Sequence, residues 1–271
     1  VTPTAYIDKC IEYAMKDNHV LLTFGDMMKV PGTHGSLSEM IGEGAKVKLM
    51  YSPFEAVELA KNNPGTTYVV AAVWFETTVP AYGLMLEEAK KNGLTNILLV
   101  TALKTVLPAL EYICGTQPDI DGYIMPGHVS VITGSDAFLG LAQTYHKPFV
   151  VAGFEAEHIL AAIYRIMKQS QHGQGMVENV YPGAVRPEGN QKAMEVIDRY
   201  FVPGPAMWRG LGIIPDSGLY LRDGDLSIGL TEDKELPAAC RCGDVIVGKI
   251  NPDECPMFGE GCNPATPYGT C

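Results

Sequence analysis

Five of the seven cysteines fall in the last 32 residues, CRCGDVIVGKINPDECPMFGEGCNPATPYGTC. The spacing is Cys240-x-Cys242, then twelve residues to Cys255, six to Cys262 and eight to Cys271. Thiols gathered in this way can form a disulfide staple, a structural zinc site or an iron–sulfur cluster site. Zinc usually takes two C-x₂₋₄-C knuckles, whose tight turns present both sulfurs to one small tetrahedral ion. No such knuckle is present. Four irons a few ångströms apart accept wider and less regular loops, because each thiolate reaches a different corner. Stapling belongs mainly to small secreted domains that lack an adequate core, whereas a chain of 271 residues that is 46% hydrophobic can build one. The spacing favours a cluster, then zinc, then disulfides. Five thiols also exceed the four that either metal site needs, which leaves one for redox chemistry or an alternative ligand role. Cys10 in YIDKCIEYAM and Cys114 in LEYICG sit in helical apolar contexts and read as buried small hydrophobes.

A second set of reactive side chains stands where apolar strands end: Asp26 after Gly25, Glu76-Thr77-Thr78 after Phe75, His128 and Ser130 after Gly127, and Glu155 after Phe154. Ligands of open parallel sheets bind outside the carboxyl ends of the strands, so Asp26, Glu76, Thr77, His128 and Glu155 form a candidate site. Each has a plainer reading. Glu155 can complement a helix dipole, Thr77 or Thr78 can cap a helix, and Asp26 can serve a turn. His128, a histidine at a strand end between Pro-Gly and Ser130, is the better candidate for a base or ligand.

The elements that must carry these residues read as α/β. Strands are expected at 19–24, 46–51, 67–74, 96–101, 121–126 and 148–153, all nearly continuous in aliphatic residues. Between them, SPFEAVELAKNN, YGLMLEEAKKNG and EAEHILAAIYRIMKQ repeat apolar residues at helical spacing, and Thr2-Pro3 opens the first helix. Apolar strands alternating with helices predict doubly wound parallel sheets covered on both faces. The expected organisation is one α/β domain over 1–118, a second over 119–204, the two facing a cleft, and a C-terminal cysteine module over 205–271. Phe-Glu recurs at the strand ends 75–76 and 154–155, a slight hint of repeated halves.

A formal charge of −11 and a pI near 5.0 leave no basic run to track a phosphate backbone, so nucleic acid is not an expected partner. No apolar stretch reaches the ~18 residues of a membrane helix, and the expected setting is cytoplasmic. GEGAKV, GQGMVE and GLGIIP lack the third glycine of a dinucleotide loop, and neither a phosphate-binding P-loop nor a G-x-S-x-G elbow occurs. The chain opens on VTPTAYIDKC without methionine, as a fragment would.

Seven stretches, TFGDMMKVPG (23–32), FETT (75–78), PGHVSVITG (126–134), VVAGFE (150–155), EGN (188–190), WRGLG (208–212) and the cysteine tail, together resemble the HypD family of hydrogenase maturation factors. The resemblance runs in order along nearly the whole chain. It implies two α/β domains facing a cleft and a small part holding a [4Fe-4S] cluster through Cys240, Cys242, Cys255, Cys262 and Cys271. It implies an accessory scaffold, acting as a monomer, on which iron receives cyanide and carbon monoxide as the Fe(CN)2CO fragment of [NiFe] hydrogenases. A HypC-like small chaperone and a HypE-like cyanide donor are the implied partners.

The family's upstream Cys-Gly-Thr-His and Cys-Pro-x-Cys stretches, which supply the iron thiol and a redox pair, do not occur here. The further cysteine usual in the family after the position of Cys271 is also missing. The expectation is a chain truncated at the N-terminus, and at the C-terminus as well, unable to assemble the fragment alone. Trp74 replaces the family's usual glycine. Two rivals stand beside this reading: a small-molecule lyase or transferase with His128 as base and a structural zinc at the cysteines, and an interaction module in which the polar residues are only caps and turns.

Overall fold

The computed structural model describes residues 2–117, 119–223, 238–263 and 266–269. It is a mixed α/β structure with two parallel-rich sheets, and the chain divides into two compact units. One comprises Val1–Trp74, Ala81–Lys104 and Tyr200–Cys271, and the other Phe75–Pro80 and Thr105–Arg199.

The first unit begins with α1 (Thr4–Ala14) and β1 (His19–Thr23), followed by a 3-10 turn at Gly25–Lys29. It continues through α2 (Leu37–Ile41), β2 (Val47–Leu49), α3 (Glu55–Asn62), β3 (Thr67–Trp74), α4 (Val79–Lys91) and β4 (Ile97–Lys104). Pro3, extended at ψ 148°, ends up preceding α1 rather than opening it. Leu21, Val69, Ala71, Val73 and Val100 turn one sheet face onto Tyr6, Ile7 and Cys10 of α1. A buried phenol needs a partner for its hydroxyl, and Tyr6 Oη donates to the Val100 carbonyl at 3.0 Å. Leu22, Val70 and Ala72 on the opposite face are equally buried, as a sheet covered on both sides requires.

The second unit contains α5 (Val106–Thr116), β5 (Tyr123–Pro126), α6 (Gly127–Thr133), α7 (Leu139–Tyr145), β6 (Phe149–Ala152), α8 (Ala156–Gln171), β7 (Val177–Asn179) and α9 (Gln191–Tyr200). Its sheet has the order β5-β6-β7, all parallel. Phe149 and Val151 join Cys114, Tyr123 and Phe138 in one core, while Val150 and Ala152 pack against Ala162 of α8 on the other face. Each large apolar side chain buried in this way contributes about 1.5–3 kcal/mol.

The proline- and glycine-rich stretch after residue 200, where the sequence pattern predicts no strand, forms an antiparallel hairpin of β8 (Phe201–Trp208) and β9 (Gly212–Leu221). β9 pairs antiparallel with β4, giving the first unit the strand order β2-β1-β3-β4-β9-β8. Proline cannot donate to a ladder and is tolerated on an edge. Pro203 and Pro205 lie on the edge strand β8, beside a register shift between Gly204 and Ala206. α10 (Cys242–Ile246) follows within the cysteine tail.

Candidate functional site

In the first unit, β1 hands over through Phe24 to the 3-10 turn that presents Asp26, exposed, in its first positions. Beside it β3 ends on Trp74, whose φ of 96° lies in the left-handed region that bulky residues rarely enter. The Trp74 ring sits 5.5 Å from that of Phe24 at 50° and remains 43% exposed. Backbone strain of this kind concentrates at functional sites. Periodicity gives no sign of it.

In the second unit, Glu76 is 4% exposed. Its Oε1 accepts from the Val106 backbone N–H at 2.8 Å, at the first position of α5, and its Oε2 is buried without a hydrogen-bond partner. Burial pushes the carboxyl above its ordinary range, partly opposed by the Val106 and Glu76 backbone N–H groups. Thr77 Oγ1 lies 3.5 Å from Thr78 Oγ1.

β5 passes directly into α6, so His128 stands in the first turn of a helix, exposed, with its ring 5.2 Å from that of Phe154. Ser130 is fully buried and donates to the Pro126 carbonyl at 3.0 Å, a local structural bond. Glu155, at the N-cap position of α8, pairs with His158 Nδ1 at 2.9 Å. Its own backbone N–H, and then His158, hold its carboxyl below the usual range. The two Phe-Glu pairs therefore stand in different environments: Glu76 is buried and protonated more readily than usual, while Glu155 is exposed and ionised more readily. A pocket of about 370 Å³ in the same unit is lined by Val131, Arg186, Glu188 and Asn190, among others.

The six described cysteines are free thiols, and Cys271 lies outside the described residues. Cys10 and Cys114 are core residues, and burial pushes the Cys10 thiol up to about 12. Cys240, Cys242, Cys255 and Cys262 gather in the first unit. Burial raises the Cys240 thiol, the Cys242 backbone N–H opposes this, and charge on Cys242, Cys255 and Cys262 adds to it, so these three sulfurs lie within electrostatic reach of Cys240. The backbone N–H groups of Arg241, Met257 and Phe258 point at Cys255 and, with the Arg241 charge, lower its thiol. The Tyr268 N–H donates to Cys262 Sγ at 3.3 Å.

Among the described residues no three His, Cys, Asp or Glu side chains converge closely enough to hold one metal ion. A multi-iron cluster asks for something different, namely separated thiolates with peptide N–H groups aimed at the sulfurs. The donor set here fits that need. Backbone close approach frames it: a Cβ on Gly269 would stand 2.7 Å from Cys242 Sγ, and one on Gly243 only 2.2 Å from the Gly210 carbonyl oxygen. These glycines, and Arg209 beside them, carry no periodic signal and were not among the sequence candidates.

A two-unit, parallel-rich α/β protein with a cysteine-bearing tail against the β8–β9 turn of one unit is the class that fold and site define. The family model described as the HypD hydrogenase formation hypA family matches residues 1–271, and the chain belongs to that family. It is 38% identical to the hydrogenase maturation factor HypD of Escherichia coli, over 99% of this chain and 74% of that protein. It is 36% identical to a hydrogenase expression/formation protein of Methanocaldococcus jannaschii, over 100% of this chain and 77% of the relative. Identity to the HypD of Rhodobacter capsulatus is also 36%, over 99% and 75%.

No helix among the described residues is long and apolar enough to cross a membrane.

Proposed function

We propose that this chain acts in [NiFe] hydrogenase maturation as the scaffold on which the Fe(CN)2CO fragment is built, with a [4Fe-4S] cluster held by four thiolates drawn from Cys240, Cys242, Cys255, Cys262 and Cys271. The observation that carries this reading is the family match along all 271 residues, and the gathered thiols support it. A bound cluster supplies one-electron redox chemistry. The N–H groups of Arg241, Met257 and Phe258 favour the thiolate of Cys255, the form that ligates iron, and the Tyr268 N–H points at Cys262 Sγ.

Asp26 of one unit, and Glu76, Thr77, His128 and Glu155 of the other, are the residues proposed to act on the iron fragment, which is cargo. Glu76 would hold a proton on its unpartnered Oε2 and pass it to the fragment. His128 and Asp26, both exposed, would orient groups around it. A HypC-like small protein and a HypE-like cyanide donor are the proposed partners of a monomer in the cytoplasm.

The experiment is anaerobic purification with a HypC-like partner, analysis for iron, acid-labile sulfide and zinc, and infrared spectroscopy. Iron with acid-labile sulfide from this chain supports the cluster. Bands of bound cyanide and carbon monoxide from the chain joined to the upstream Cys-Gly-Thr-His and Cys-Pro-x-Cys stretches support the scaffold, whereas clear cyanide bands from this chain alone would place the iron on one of its own thiols. Stoichiometric zinc without sulfide would leave only a structural site.

A further inference from the structure

We propose that Arg209 is the positioning residue of the cysteine module, holding the Tyr268–Gly269 segment as a strap across Cys240, Cys242 and Cys262. Arg209 lies at the end of the β8–β9 hairpin and is 3% exposed. Its guanidinium reaches three segments far apart in sequence. Nη2 donates to Thr4 Oγ1 at 2.7 Å and to the Pro31 carbonyl at 3.2 Å, and Nη1 lies 3.5 Å from the Tyr268 carbonyl.

The strap faces the sulfurs on its other side. The Tyr268 N–H donates to Cys262 Sγ at 3.3 Å, and a Cβ on Gly269 would meet Cys242 Sγ at 2.7 Å and Cys240 Sγ at 3.6 Å. Residues 268–269 are thus clamped between a buried cation and three sulfurs. Gly210, next to Arg209, forms the floor, since its carbonyl oxygen leaves no room for a side chain at Gly243. A planar fork can span three acceptors at fixed angles, which a single ammonium cannot. The same fork ties the strap to the start of α1 and to the loop that follows the Asp26 turn, so the module is held to its unit from below.

The inference concerns the cysteine site of the proposed function, but its main test uses metal-free protein, so the two can fail separately. Reduced protein is treated with a limiting alkylating reagent at one pH, and each cysteine is read by peptide mass spectrometry. Loss of the clamp as a local opening raises the Cys242 rate about tenfold in R209K and R209M, while Cys10 and Cys114 keep the parent rate. G269A, which pushes the strap off directly, gives the same rise at Cys242.

Should R209M unfold, Cys10 and Cys114 would react along with Cys242, and R209K, which keeps the buried cation, decides. A Cys242 rate in folded R209K equal to that of the parent overturns the proposal.

Discussion

Glu76 Oε1 accepts the Val106 backbone N–H at 2.8 Å, so a residue from the end of β3 caps the start of α5 while its other oxygen is buried without a partner. The carboxylate stabilises the helix end by hydrogen bonding and pays for that in desolvation. Which effect governs depends on pH. Burial raises the folded-state pKa above the unfolded value of ~4.3. Stability from this group is therefore fully present below the unfolded pKa and is lost as pH rises through the folded pKa. The Tm of E76Q minus that of the parent is expected to grow more positive from pH 4 to pH 7. E76A, which cannot accept from Val106, is expected to lie about 1 kcal/mol below E76Q. A flat difference between E76Q and parent across that range would show that Glu76 is not held above its ordinary pKa.

Trp74 sets backbone strain against ring contact. Its positive φ costs about 1–3 kcal/mol and its packing on Phe24 returns about 0.5–1.5 kcal/mol. W74A keeps the strain and loses the ring, whereas W74G loses both. W74G is expected to be more stable than W74A by about 1 kcal/mol in chemical denaturation, even after the entropy cost of glycine in the unfolded chain. The reverse order would mean that Trp74 is unstrained.

The four described tail cysteines and the two core cysteines separate in a metal assay. C242S, C255S and C262S should each lower bound iron and acid-labile sulfide after anaerobic reconstitution. C10A and C114A should retain the parent content, since their thiols lie in the hydrophobic cores of the two units. Equal loss in C10A would place the cluster elsewhere.

Gly134 and Gly189 interlock, with Gly189 in the lining of the pocket near Arg186. Both have positive φ, and a Cβ on Gly189 would lie 2.4 Å from the Ile132 carbonyl oxygen. G189A is expected to cost at least about 2 kcal/mol. G183A, where nothing stands within 4 Å, should be neutral or slightly stabilising. Thermal unfolding of the two variants side by side checks this, and a neutral G189A would mean that the 187–190 loop yields freely.

The parallel strands and their helices were legible because both sheets are covered on two faces. Runs such as TTYVVAAVW and PFVVAG then carry apolar residues at every position, and burial of Val69 to Val73 and of Phe149 to Ala152 is what such runs require. The two helical cysteines were legible as core for the same reason. The family was legible in short strand-end and tail segments, whose residue types are fixed by local chemistry. The β8–β9 hairpin was not, because an edge strand tolerates the prolines and glycines that argue against a strand in isolation.

Nor does the sequence separate the two Phe-Glu pairs. Only the docking of α5 makes Glu76 a buried cap with one unpartnered oxygen, while Glu155 stays in solvent beside His158. Arg209 stands in the WRGLG stretch that carries the resemblance, but nothing there shows what it holds, since its partners lie 205, 178 and 59 residues away along the chain. Local pattern fixes which face of an element is apolar. Contacts between residues distant in sequence depend on how those faces pack, and only the tertiary structure decides that.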